Sequence, residues 1–525
     1  MKLSYGTRIL AGLVLTLGIT ACTDLNVSPH SELTNRNFEP EKEDIVRLVG
    51  PAYKELRWFN EYYGYVPLQE ISADSYVTPL PYSVFGIPPF FYLNQHHWDE
   101  NNRYITTAWS KIHNGVKVTN RILNQVNNSL ELPDNFRTEA TAELRALRAY
   151  YHYLLMDNFK SVPLLTNFEV DKPVEQVPRW KLYDFIVQEL KDVIPKLPEE
   201  VNQKTYGRMT KWSAKTLLAR VYLNSKVYVG TTNFDKVTAL ADEIIDSGYF
   251  RLDPNYRGPF DRNNQSSPEI IWAIPYDENN APGNMFHMYN ISPDLQPIYQ
   301  MKTRPWGGGR AGPQFIDTYE EEDTRLEKTW LSGPQVTSEG DTLINFVKNV
   351  PGMKGVHQRY GFRAHKYEVY NRIDISSDVD FPIFRYAEVL MMKAEALLRT
   401  GSPGKAAQIV TRVRERAFTQ TNPSKAEVTA TELQSGSSYN YGIWDDGQVV
   451  ESEGGEDIPY GRFLDELGWE FALEGHRRQD LIRFGVFTRK SWFKKSTEDP
   501  CKIVFPLPAN ALQEYPNMDQ HPCYR

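Results

Sequence analysis

The chain has 525 residues, with 59 Lys and Arg against 67 Asp and Glu and a formal charge of −8. That balance excludes a nucleic-acid binder, which needs a basic face, and electrostatic docking on anionic lipid. Aromatic residues make up 13 % of the chain, so rings are available both for a large core and for recognition surfaces.

Lys2 and Arg8 precede an uncharged stretch, Ile9 to Ala21, which is the plan of a secretory signal peptide. The run is shorter than the roughly 20 residues a bilayer span requires. It ends in Ile19-Thr20-Ala21-Cys22, which resembles a bacterial lipobox. Residues 1–21 are therefore expected to be a lipoprotein signal peptide, with Cys22 the acylated first residue of the mature chain. Several acyl chains on one cysteine anchor stably, at about 0.8 kcal/mol per buried methylene. Residues 1–21 hold two basic side chains and no acid, so the mature chain keeps 57 basic and 67 acidic residues, a formal −10. No long apolar segment follows, and the chain is expected to sit on a membrane without crossing it. Cys501 and Cys523 remain; in an exported protein a disulfide between them is expected, the alternative being two buried free thiols.

Residues 22–42 are polar and read as a lipid-anchored tether to a single body, 43–525. A first helix is predicted over Glu43–Glu61. Residues 72–103 mix Pro79, Pro81, Gly86, Pro88 and Pro89 with Tyr82, Phe85, Tyr92 and Trp98, and read as a long aromatic loop. Helices are predicted at Tyr104–Val126 and at Phe136–Asn158, where Ala140, Leu144, Leu147, Tyr151 and Leu154 recur at spacings of three and four. Trp180–Leu197 and Thr210–Asn224 follow, with Thr210 as a cap, and then Asp235–Ser247, closed by Gly248. These complete an N-terminal helical part, 43–248. Residues 249–380 are rich in Gly, Pro, Asn and Asp and read as a loop-rich ligand-face insertion with short strands such as Glu269–Ile274. A C-terminal helical part, 381–525, holds predicted helices at Arg385–Arg399 (closed by Gly401), Gly404–Ala417 and Phe463–Arg483. Polar residues 424–458 between them read as a surface excursion or part of a partner interface. Paired helices with short connections on a period of about 34 residues suggest tetratricopeptide-like stacking, with Ala142, Ala146, Ala149, Ala387, Ala394 and Ala396 permitting close approach.

Five segments carry a resemblance: Ala142-Glu-Leu-Arg-Ala-Leu-Arg-Ala-Tyr-Tyr151 running on to Phe159 and Val162-Pro-Leu-Leu165; Gly207-Arg-Met-Thr-Lys-Trp212 to Leu223; Arg385-Tyr-Ala-Glu-Val-Leu-Met-Met-Lys-Ala-Glu-Ala396; Leu464 to Arg483; and Phe505-Pro-Leu-Pro508 with Tyr515-Pro-Asn517. In this order, behind a lipobox, the chain resembles the SusD/RagB family of outer-membrane nutrient-binding lipoproteins. The resemblance implies a mainly α fold, a tetratricopeptide-like helix-pair scaffold with long irregular loop insertions. It further implies a cell-surface protein that captures oligosaccharide, or peptide in the RagB-like branch, and passes it to a SusC-like TonB-dependent outer-membrane transporter, without catalysis or cofactor. The family's motifs fix the scaffold and transfer no substrate.

Sugars require flat aromatic faces for the apolar side of a pyranose and planar polar groups for its hydroxyls. The loop 82–103 supplies Tyr82, Tyr92, Trp98 and Asn101, and the segment 285–310 supplies Tyr289, Trp306 and Arg310; these are the candidate ligand residues, Trp98 and Trp306 foremost. Gly307-Gly308-Gly309 lacks the Lys-Ser/Thr of a phosphate loop and reads as a flexible hinge. The adjacent His96 and His97 point to opposite faces if they lie on a strand, and no His-Glu-x-x-His or Cys-x-x-Cys spacing is present, so no metal site is expected. Glu474, His476 and the charges around them read as an ion-paired helix, with Glu474–Arg478 and Asp480–Arg477 as pairs, in preference to an acid–base site. A glycoside hydrolase with two carboxylates at a fixed separation is the remaining alternative, although no carboxylate lies in a recognisable catalytic motif.

Overall fold

The computed structural model describes residues 44–80, 88–130, 132–168 and 174–525; Cys22, the tether and Tyr82 lie outside them. About 48 % of the structure is helical, and among the described residues each sheet has two or three strands, as expected for a mainly α protein. The principal helices are α1 (Asp44–Lys54), α2 (Arg103–Asn124), α3 (Asp134–Phe159), α4 (Arg179–Val193), α5 (Lys211–Leu223), α6 (Phe234–Asp246), α7 (Tyr386–Arg399), α8 (Pro403–Phe418), α9 (Gly461–Phe471) and α10 (Arg477–Arg483). Consecutive helices pack in pairs: α2 on α3, α3 on α4, α5 on α6 and α7 on α8, with α6 against α7 bridging the two halves. Close approach follows from small residues. Ala140, Ala142, Ala146 and Ala149 of α3 are buried, and Gly115 of α2 lies against the Tyr151 ring, where a Cβ would collide. Tyr151 then donates to the Ala52 carbonyl at 2.7 Å, tying α3 to α1. Thr210 caps α5: its hydroxyl accepts from Ser213 N–H at 3.3 Å, and its own N–H donates to the Ser213 hydroxyl at 2.7 Å. Gly248 and Gly401 follow α6 and α7 with φ of +71° and +83°, the left-handed conformation that ends a helix without a Cβ penalty.

The loop-rich segment is closed at its base. Ile270–Ile274, buried throughout, pairs antiparallel with Phe381–Arg385, so both ends of the segment join one ribbon. Inside it, Ile291, Leu295, Met301, Ile344, Phe346, Val369 and Ile373 form a second small core. Residues 424–458 are more than a surface excursion. They carry the hairpin Gly442–Asp445 with Gln448–Ser452, and Leu433, Tyr439, Tyr441 and Trp444 are buried. Tyr441 donates to the Asp74 carboxylate at 2.9 Å.

The helix predicted over Phe463–Arg483 is two helices. The chain leaves α9 at Ala472 and turns through Leu473 (φ 67°) and Gly475 (φ 79°) before α10. Glu474 thereby loses the helical spacing that would pair it with Arg478, while Arg477 and Asp480 keep theirs within α10 but find other partners. Arg477 instead pairs with Asp74 (2.7 Å) and Asp480 with Arg483 (2.7 Å). Arg478 lies on the Phe505 ring at 4.3 Å and donates to the Ile503 carbonyl at 2.8 Å.

Glu474 joins a buried charge network. Arg385 bonds Glu269, Glu470 and Glu474, each at 2.7 Å. Arg416 bonds Glu269 and Glu470 at 2.5 Å, and Lys366 bonds Glu474 at 2.5 Å. Arg325 reaches Asp323 (2.7 Å), Glu466 (3.2 Å) and Glu470 (3.4 Å), and Arg414 pairs with Glu466. No side chain in this set exceeds 5 % exposure. Removing one member of such a set leaves a desolvated, unpaired charge, at about 3–5 kcal/mol. Burial alone pushes the Glu470 carboxyl up, but Arg416, Arg385 and Arg325 together hold it well below its ordinary 4.5; Glu466 is held down in the same way by Arg462, Arg414 and Arg325.

Two predictions follow from these contacts. In urea unfolding at pH 7, Glu470→Ala is expected to cost about 3–5 kcal/mol. Because the folded carboxyls lie below their unfolded value, their stabilisation is complete above pH 4.5 and is lost as pH falls beneath it; wild-type melting temperature should drop steeply there, and less so in Glu470→Gln. Cys501 and Cys523 have Cα atoms 5.9 Å apart at a sequence separation of 22, within disulfide range. Cys523→Ser should lower stability by about 3 kcal/mol, and a reductant should do the same to the wild type alone.

Candidate functional site

Tyr62 and Tyr63 follow a short 3-10 turn, Arg57–Asn60, and precede Gly64, where a Cβ would meet the Trp58 and Glu61 carbonyls at 2.6 Å. This tight reversal leaves both tyrosines half-buried at the surface. Tyr104, on the first turn of α2, packs beneath them. Its N–H is capped by Asn102 at 3.1 Å, and its ring centroid lies 5.1 Å from Tyr63 and 6.3 Å from Tyr62. Trp306 stands edge-on to Tyr62 at 5.4 Å and is 47 % exposed. Its N–H donates to the Met288 carbonyl at 2.7 Å, and Gly308 and Gly309 both donate to the Tyr289 carbonyl. A Cβ on Gly309 would run into the Tyr76 hydroxyl, and one on Gly307 (φ +57°) would lie 2.7 Å from Pro293. The glycine run is thus a hydrogen-bonded turn fitted against its surroundings, a correction to its reading as a flexible hinge.

Arg103 lies over the Tyr63 ring at 4.3 Å. Tyr62, Tyr63, Trp306 and Arg103 therefore form a ring-bearing surface with a planar five-donor fork at its edge. Burial, and then Tyr63, push the Tyr62 phenol up to about 12, so it remains a proton donor throughout the neutral range. Such a surface can stack on the apolar face of a sugar and bond its hydroxyls. Next to Arg103 in the chain, a shallow cleft of about 260 Å³ is lined by Pro89, Tyr92, His97, Asp99 and Asn101 and by an edge of Trp98. Tyr92 and Asn101 are exposed there.

The other described candidates, Trp98, Tyr289 and Arg310, lie inside. Trp98 is 6 % exposed, its ring packed by His96 (4.6 Å) and Phe505 (5.0 Å) and its indole N–H donated to Tyr524 at 2.9 Å. The C-terminal segment covers it, so it has no open face for a sugar. Tyr289 and Arg310 are also buried. His96 has φ 55° and its Nε2 is 2.9 Å from the Ser72 carbonyl, while His97 is exposed. His476 is stacked on Phe471 at 5.0 Å. Burial, followed by Arg220 and Arg385, holds it neutral, and its supposed partner Glu474 is already bound by Arg385 and Lys366. Among the described residues, Cys501, His521 and Cys523 have metal-ligand proximity; a Cys501–Cys523 bond would consume two of these three ligands.

Tyr62 and Tyr63 escape sequence reasoning because they sit at the frayed end of a predicted helix. A Tyr-Tyr-Gly after that helix was the only available signal.

Residues 268–524 match the SusD family, and residues 68–223 match a family described as starch-binding associating with outer membrane. The starch-binding protein SusD of Bacteroides thetaiotaomicron is 25 % identical over 483 residues, covering 80 % of this chain and 79 % of that protein. A SusD-like protein of Formosa agariphila is 24 % identical over 552 residues, covering 98 % of each. Surface glycan-binding protein A from Bacteroides thetaiotaomicron, solved with laminarihexaose, superposes with a TM-score of 0.72 at 20 % identity, over 91 % of this chain and 99 % of that one. With two family matches, over residues 68–223 and 268–524, five family segments in order and a helix-pair scaffold, the chain belongs to the SusD/RagB family.

Proposed function

We propose that this protein is a lipid-anchored cell-surface binder that captures an oligosaccharide on the Tyr62–Tyr63–Trp306–Arg103 surface and passes it to a TonB-dependent transporter without cleaving it. The observation that carries the reading is the exposed Trp306 ring held edge-on to Tyr62 at 5.4 Å, on the same surface as the Arg103 guanidinium, 4.3 Å over the Tyr63 ring. The relatives add to it: one is described as starch-binding and one was solved with a glucan hexamer. Cys22 and the family description of outer-membrane association support the anchor and its location. Binding without turnover fits the chemistry of the surface. Glycoside cleavage uses two carboxylates flanking one bond, whereas the four platform residues are aromatic or cationic and, among the described residues, Asp99 is the one carboxylate lining the adjoining cleft. Tethering at a transporter mouth raises effective concentration, so modest affinity suffices.

In calorimetric titrations against a panel of oligosaccharides, Trp306→Ala is expected to weaken the best binder by ten-fold or more, about 1.4 kcal/mol. Trp98→Phe should leave that affinity unchanged while costing stability about 1 kcal/mol, through its lost bond to Tyr524. Chromatography of the bound sugar after prolonged incubation should show unchanged chain length. New reducing ends, or a Trp306→Ala chain that binds as the wild type does, would remove the basis for this reading.

A further inference from the structure

Beneath the Trp306 turn lie two arginines whose charges the protein does not match. Arg310 and Arg363 are carried on neighbouring segments, joined where Ala311 N–H donates to the Phe362 carbonyl at 2.9 Å. Both are fully buried. The Arg310 guanidinium makes one long contact, Nη1 to the His357 carbonyl at 3.4 Å, and its Nε and Nη2 find no acceptor among the described residues. Arg363 reaches the Gly309 carbonyl at 3.4 Å and the backbone and side-chain oxygens of Gln358 at 2.5 and 2.6 Å; its Nε has no acceptor. Among the described residues, neither makes an ion pair. Asp294 and the Tyr76 phenol are felt by Arg363, but the Asp294 carboxylate accepts from Ser292 at 3.0 Å and the Tyr76 hydroxyl donates to Asn290 at 2.6 Å.

Two desolvated like charges repel, and each costs several kcal/mol to bury unpaired. Arg385 and Arg325, equally buried, are surrounded by carboxylates. Among the described residues, the atoms that Arg310 and Arg363 hydrogen-bond are neutral carbonyl and amide oxygens, with the Phe346 face 5.3 Å from Arg363. The N–H groups left over on Arg310 Nε, Arg310 Nη2 and Arg363 Nε are the complement of an oxyanion, which offers several strong acceptors and the missing negative charge. The cover over the pair is a turn between Gly355 (φ 66°) and Gly361 (φ 81°), where His357 and Arg359 are exposed and a Cβ on Gly361 would crowd the Arg310 side chain at 2.8 Å.

We propose that Arg310 and Arg363 form a buried oxyanion site under the Trp306 turn, taking a sulfate or carboxylate group that is either free in solution or carried on the sugar held by the platform. The second source rests on the glycan-binding reading above. An anion there would bridge the two guanidiniums and fix the base of the turn that presents Trp306.

The test uses the purified chain and an Arg310→Met/Arg363→Met variant. Sodium sulfate is titrated against sodium chloride at constant ionic strength by calorimetry and thermal melting, and a sulfated oligosaccharide is compared with its desulfated counterpart. A saturable one-to-one sulfate heat in the wild type, absent from the variant, identifies a free anion. Ten-fold or tighter binding of the sulfated over the desulfated sugar, with the difference abolished in the variant, identifies a sugar-borne one. If the variant does not fold, the wild-type titrations decide alone. No saturable sulfate heat together with equal affinity for the two sugars overturns the site. That outcome with neutral sugar still bound overturns this inference and leaves the glycan reading standing, whereas no binding of any sugar overturns the glycan reading and leaves the sulfate titration to decide the free-anion form.

Discussion

The carboxylates Glu466, Glu470 and Glu474, at and beyond the end of one short helix, hold this structure together. Glu466 and Glu470 share a face of α9, four residues apart, and the turn at Leu473 to Gly475 brings Glu474 into the same interior. Around them converge Arg325 and Lys366 from the loop-rich segment, Arg385 from the end of the strand that closes it, and Arg414 and Arg416 from α8. Glu269 and Asp323 complete the charge balance from the loop-rich side. A segment with little regular secondary structure is thereby fixed to the helical body by charge-assisted hydrogen bonds, which are directional and specify one arrangement.

That fixation matters for the ring surface. Trp306 belongs to the loop-rich segment, whereas Tyr62, Tyr63 and Arg103 belong to the N-terminal helical part. A binding surface assembled from two parts of the chain is only as ordered as the contact between them. The Met285 N–H to Asn60 carbonyl bond (3.0 Å) and the Tyr76 hydroxyl to Asn290 bond (2.6 Å) join these parts directly. The Tyr76–Val77 strand, paired with Arg310–Ala311, continues the connection. Pre-organisation of this kind reduces the entropy lost when a ligand binds.

The same network accounts for charged motifs that resemble catalytic residues without acting as such. An acid–base pair needs a free carboxylate or imidazole within reach of substrate. Glu474 has both oxygens bonded to Arg385 and Lys366, and His476 is enclosed by Phe471, Arg220 and neighbouring cations. The family motifs that surround these residues build the scaffold; the surface that meets solvent is built elsewhere, from rings in less regular segments.

Most helix positions, the Thr210 cap, the glycine stops at 248 and 401 and the strand near residue 270 were legible in the amino-acid order, because each rests on periodicity or capping among residues a few places apart; the family was legible from the resemblance of five motif segments in order. The break within the predicted helix 463–483 was not, since the pull on Glu474 comes from Arg385 and Lys366, 89 and 108 residues away. Which rings face outward was decided only by the tertiary structure. Trp98 has polar neighbours and Trp306 has Pro and Gly neighbours, both surroundings typical of exposed loops, yet Trp98 is covered by Tyr524, 426 residues later, while Trp306 is left at the surface beside Tyr62. Burial of an aromatic side chain depends on what packs over it, and local composition holds no information about a neighbour that distant in the chain.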